Sequence, residues 1–144
     1  MPRRELRLNG LVAATIAAVV ASAGPARAVT QTYVDLFVLY SHYSMMDAVA
    51  KACFAMDEND PAYLEAGEKF KQDNLPLRDE LDSILAASGE APEVVDEANT
   101  AGVKMAGQVR SPTACKQWLQ SAKNGFYNGE TYFAREVGRL RETQ

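Results

Sequence analysis

TYVDLFVLYSHYSMMDAVAKACFAM, residues 32–56, is the stretch that decides the fold. Tyr33, Leu36, Phe37 and Tyr40, then Met45, Met46, Val49, Cys53 and Met56, recur at the three- and four-residue steps of a helix. One long helix is predicted. Its first part, residues 33–40, is apolar on nearly every side except at Asp35, and its β-branched and aromatic content would also suit a strand. No second strand-like stretch is present to pair with it, so helix is preferred. A helix apolar all round is either buried centrally or used to bind something. On the second option Tyr33, Phe37 and Tyr40 are the candidate partner-binding residues.

Toward the C-terminus the chain is punctuated by helix starts and stops. Asp60-Pro61 and Ser111-Pro112 each pair a capping side chain with a proline at the first helical position, where the missing N–H costs nothing. Between them the second helix carries Leu64, Gly67 and Phe70, and it should break near Asn74-Leu75-Pro76 because proline disfavours helical geometry in the residue before it. Leu77, Leu81, Ile84 and Leu85 then line one face until Gly89, and Pro92 opens a helix striped by Val95, Ala98, Gly102, Met105 and Val109. Small residues at Ala98, Gly102 and Ala106 would let a neighbouring helix approach closely. Cys115, Trp118, Leu119 and Ala122 form the stripe of a helix ending near Gly125. Asn128-Gly129 marks a turn before a last helix with Phe133, Val137 and Leu140 inward. The expected fold is all-α, a small bundle of four to six helices whose short connections make consecutive helices antiparallel neighbours.

Toward the N-terminus, Arg3, Arg4 and Arg7 precede the apolar run 11–23 and the small-residue triplet Ala26-Arg27-Ala28. This is the pattern of a cleavable export signal over 1–28, with the run too short for the roughly 20 residues of a membrane-spanning helix. Arg3-Arg4 followed by Leu6 also resembles a twin-arginine signal, so both the general secretory and the twin-arginine routes stay open. Residues 29–144 are then one exported domain, periplasmic or secreted, with no stable membrane insertion after cleavage. In such a compartment Cys53 and Cys115 are expected to form a disulfide.

The signal carries four arginines and one glutamate, so its removal takes the net charge from −4 to −7. That disfavours nucleic acid and anionic lipid, which bind through basic surface. Residues 57–97 hold 13 acidic and three basic side chains, whereas 98–144 hold three acidic and seven basic. The expectation is that the two parts neutralise each other as packed helices; the alternative is an acidic face that docks on a basic partner.

Little in the chain suggests catalysis. A single histidine excludes two-histidine metal motifs, and no phosphate loop, Gly-x-Ser-x-Gly elbow or c-type haem motif occurs. No cofactor is implied. Asp57-x-Asn59 with Glu68 at the twelfth position fails as a calcium loop, because Ala62 stands where the turn needs glycine. His42, Met45 and Met46 share a helix face, and their soft ligands would suit Cu(I); methionines at this spacing are also ordinary core filler.

An exported helical domain with one disulfide and the segment Cys53-Phe54-Ala55-Met56-Asp57 resembles small periplasmic acid-stress chaperones. The resemblance implies loosening in acid and exposure of apolar surface, and it assigns no site. The leading expectation is a non-catalytic exported helical bundle that binds a protein partner or a second copy of itself. An acid-stress chaperone and a small-ligand or copper carrier are the alternatives.

Overall fold

The long helix forms as α1, Gln31–Met56. The computed structural model describes residues 28–144, so the signal read in residues 1–28 lies, apart from Ala28, outside the described residues. At 26 residues α1 is about 39 Å long, and Leu36, Leu39, Tyr40, Met46, Val49 and Cys53 along it are almost wholly shielded from solvent. Of the two fates open to a helix apolar on all sides, α1 takes the central one.

Around it lie α2 (Pro61–Asp73), α3 (Leu75–Ser88), α4 (Val94–Ala106), α5 (Pro112–Lys123), the single turn α6 (Gly129–Tyr132) and α7 (Ala134–Glu142). The described residues contain no strand. The architecture is an all-α helical bundle, with six helices of more than two turns and α6 as a one-turn link before the last. Asp60 accepts a hydrogen bond from the Ala62 N–H at 2.9 Å and Ser111 from the Ala114 N–H at 3.1 Å, so both caps form as their sequence requires. α2 and α3 are separated at Asn74, one residue before Leu75-Pro76. Between α1 and α2 the chain reverses through Glu58 and Asn59, both at φ 55°.

The packing corrects the idea that consecutive helices are the principal neighbours. α1 packs against α2, α3, α4, α5 and α7, and most extensively against α4, three elements later. Close approach explains the preference: a Cβ at Gly102 would lie 2.7 Å from the Ser44 Cβ and 2.8 Å from the Met45 nitrogen, and would collide with the Ser41 carbonyl. Ala98 and Ala106, one turn on either side, are also buried, as is Val94. The inward stripe of α4 is therefore Val94, Ala98, Gly102 and Ala106, with Val95 and Met105 half-buried at its edges; the helix stops at Ala106, so Val109, expected in the stripe, lies beyond it.

Cys53 and Cys115 are bonded, with their Cα atoms 5.4 Å apart. The bridge joins the last turn of α1 to the first turn of α5 across 62 residues, a loop for which chain-entropy arguments give roughly 4 kcal/mol of stabilisation.

Candidate functional site

A lone acid in an apolar run needs a partner once buried, and Asp35 has one. It is 1 % exposed, and Arg139 of α7 grips it bidentately, Nη2 to Oδ1 at 2.6 Å and Nε to Oδ2 at 2.9 Å. Gln31 donates to the same carboxylate at 3.0 Å. Next along α7, Arg141 donates to both oxygens of Glu80 on α3, at 2.7 and 2.8 Å, and to Glu130 at 2.7 Å. These guanidinium contacts hold the Glu80 carboxyl below the ordinary carboxylate range.

The segment before α7 is fixed by other means. Helix α5 ends at Asn124 with Gly125 in the left-handed region, φ 71°, and the Phe126 N–H reaches back to the Ser121 carbonyl at 3.1 Å. Glycine is suited to that position because a Cβ there is strained. The chain then crosses α1, where His42 Nε2 lies 2.8 Å from the Tyr127 carbonyl oxygen. A carbonyl only accepts, so Nε2 carries the proton. Burial pushes the His42 pKa down, with the carbonyl contact partly offsetting it, and the ring is neutral at neutral pH. Asn74, 3 % exposed, ties the same segment from below: its Oδ1 accepts from the Gly129 N–H at 2.8 Å, and its own carbonyl accepts from the Tyr43 hydroxyl at 2.7 Å.

Aromatic rings close over this frame. Tyr132 stacks on His42 with centroids 5.3 Å apart, while Phe70 and Phe133 meet the imidazole edge-on. Trp118 lies between Tyr63 and Tyr127, at 6.5 and 6.4 Å. Outermost is Phe126, T-shaped on Tyr132 at 5.5 Å. Phe126 is 59 % exposed and Tyr132 48 %; every other aromatic side chain of the protein is buried or half-buried.

The residues singled out from sequence fall elsewhere. Phe37 and Tyr40 are core side chains, so they offer no docking surface on the folded domain, and this corrects their assignment to partner binding. The Tyr40 hydroxyl donates to Asp82 at 2.7 Å, and Arg78 lies over the ring at 4.6 Å. Burial, first, and then the Asp82 contact push its pKa far up. Tyr33 is half-buried and donates to Glu97 of α4. Nor do His42, Met45 and Met46 share an open site. His42 sits inside the aromatic cage, Met46 is 1 % exposed, and the Met45 backbone lies against Gly102. Met46, Phe70, Asn74 and Tyr127 line a cavity of about 40 Å³, room for a water or two and no organic ligand. Among the described residues no three His, Cys, Asp or Glu side chains group as metal ligands, and no helix is long and apolar enough to cross a membrane.

The charge halves do not neutralise each other as expected. Arg141 with Glu80 is the ion pair that crosses from residues 57–97 to 98–144 among the described residues; the other contacts of these acids and bases are mostly local, such as Lys69 with Asp73 and Arg78 with Asp82. The acids stay solvated instead because their helices present them outward. The acids of 57–60 are used locally: Asp60 caps α2 and Asp57 accepts from the Tyr63 hydroxyl at 2.7 Å. Sequence reasoning missed the Asp35–Arg139 clamp, for which the isolated Asp35 was the available signal. It also missed Phe126, whose signal was an aromatic residue directly after a helix-ending glycine. No family model, curated protein or solved structure matches this chain.

Proposed function

We propose that this protein is exported to an oxidising compartment and acts there without catalysis, as a disulfide-bonded helical bundle that binds another protein through the surface at the end of α5. One observation carries the reading: the two exposed aromatic rings of the chain, Phe126 and Tyr132, are in contact with each other. Aromatic side chains are enriched at protein interfaces, where a rigid ring buries much area at small entropic cost. The bonded Cys53–Cys115 pair and the N-terminal signal pattern support export.

Placing a photoreactive phenylalanine analogue at position 126 in producing cells tests this. A discrete adduct at 126, absent from the same analogue at exposed Val103, is expected. Equal or absent adducts at the two positions would defeat the proposal, and an adduct of twice the chain mass would identify a second copy as the partner.

A second reading is favoured by the ties of residues 125–144. Asp35, Glu80 and His42 hold that segment to the body; Arg141 holds the Glu80 carboxyl low and burial holds the His42 imidazole low, so acid works against both of these ties. An acid-loosened chaperone would use such ties. Binding of an apolar dye below about pH 4, with loss of the near-UV spectrum, supports that reading; an unchanged spectrum removes it.

A further inference from the structure

The same corner of the molecule has an uneven distribution of charge partners. Lys51, Lys69, Lys71, Arg78, Arg139 and Arg141 all form ion pairs. Among the described residues Lys104, Arg110, Lys116, Lys123 and Arg135 form none. The unpaired cations therefore all fall between 104 and 135, and three of them, Lys116, Lys123 and Arg135, flank the exposed rings along the sequence. Lys116 and Lys123 are exposed and seven residues apart on α5, which puts them on one face two turns apart. Phe126 follows Lys123 by three residues, Tyr132 touches Phe126, and Arg135 lies three residues beyond Tyr132.

Local electrostatics account for only part of this. Lys123 is in the last turn of α5, where the helix dipole favours a cation. Arg135 is in the first turn of α7, where the dipole opposes it, and it gains no acid partner in return.

We infer that Lys116, Lys123 and Arg135 share one face with Phe126 and Tyr132, and that this face docks a short acidic segment of a partner protein, with an apolar side chain of that segment seated against the Phe126 and Tyr132 rings. The inference rests on the partner-binding reading above and adds the partner's chemistry. Opposite charge around an aromatic centre steers encounter and fixes register, while the rings supply buried area. A long polyanion fits less well, because the 13 acidic residues of 57–97 repel one that runs past this face.

The test uses the oxidised protein as purified and a random peptide library selected against it at low ionic strength. Enriched peptides should combine acidic residues with an aromatic or aliphatic one. Their affinity should fall about tenfold or more in K116E/K123E, and fall again as salt is raised. Acidic peptides whose binding ignores K116E/K123E, or displacement of peptide by heparin at equal charge concentration, would overturn the inference. Enriched neutral peptides that bind the parent and not F126S/Y132S would overturn the acidic partner and leave the partner-binding reading intact. If no enriched peptide depends on Phe126 and Tyr132, both fail. All the substituted side chains are exposed, and an unchanged far-UV spectrum with an unchanged urea midpoint confirms each variant's fold.

Discussion

The contact between α1 and α4 and the contact between α1 and residues 125–144 are built on opposite principles. In the first, small residues at 98, 102 and 106 bring two helices so close that Gly102 meets the α1 backbone. Around Gly102 its strength is steric fit and apolar burial, which respond to volume and hardly to pH, while the hydrogen bond from Tyr33 to Glu97 lies at the start of α4. In the second, the chain is held by a bidentate arginine on Asp35, an imidazole on a carbonyl, an asparagine on an amide, and stacked rings. Its strength depends on charge states. One chain thus carries a rigid half and a half whose attachment is titratable, and the exposed rings belong to the latter.

Several substitutions break or sharpen that contrast. The disulfide links α1 to α5 and so restrains the approach to the titratable half. Replacing Cys53 and Cys115 by alanine should lower stability by roughly 4 kcal/mol, read from urea denaturation of the oxidised parent and the variant. Next comes Gly102→Val, which forces the α1 and α4 backbones apart. A loss of about 3 kcal/mol is expected, equal at pH 7 and pH 5; a strong pH dependence would contradict a steric contact at Gly102.

Arg139→Leu leaves Asp35 buried without its cation. A fully buried pair would cost 3–5 kcal/mol when broken in this way, but Arg139 is 36 % exposed, and about 2 kcal/mol is expected. The loss should appear as faster amide exchange confined to residues 125–144 and the start of α1. Uniform acceleration across α4 as well would remove the distinction between the halves.

Acidification should act on the same segment. Burial holds the His42 imidazole below its usual value, so below about pH 6.5 the unfolded chain takes up this proton more readily and stability falls with pH. The Glu80 carboxyl is held low by Arg141; its contribution is complete above about pH 4.3 and is lost as pH falls through the lower folded value. Both signs agree. Limited proteolysis between pH 7 and pH 4 should cut first within 125–133, and first cuts in α4 would refute the assignment. The smallest effect is a gain: Glu58 at φ 55° bears a Cβ in the left-handed region, and Glu58→Gly should raise stability by about 0.5–1 kcal/mol in thermal melts.

Legibility followed the same division. Caps at Asp60 and Ser111, the break at Asn74 and the small-residue stripe of α4 are written in local sequence, because they depend on neighbours one helical turn away. Residues 33–40 gave two readings, core or docking surface, since periodicity reports that a face is apolar without reporting what covers it. The exposure of Phe126 was hinted at only by its place after the helix-ending Gly125: its ring is outside because Gly125 turns the chain and Tyr132 takes the place over His42.

By itself the sequence settled the all-helical class, the caps at Asp60 and Ser111 and the pairing of two cysteines, while it ran the fourth helix on to Val109 and took the two helices on either side of Phe133 as one; propensity, capping and apolar period are local properties that the chain carries unfolded. Tertiary structure alone decided that α4 is the main neighbour of α1, that Asp35 answers to Arg139 104 residues away, and that Phe126 and Tyr132 meet each other at the surface. Those facts join residues far apart in the chain, and only their meeting in space fixes which surface is left over.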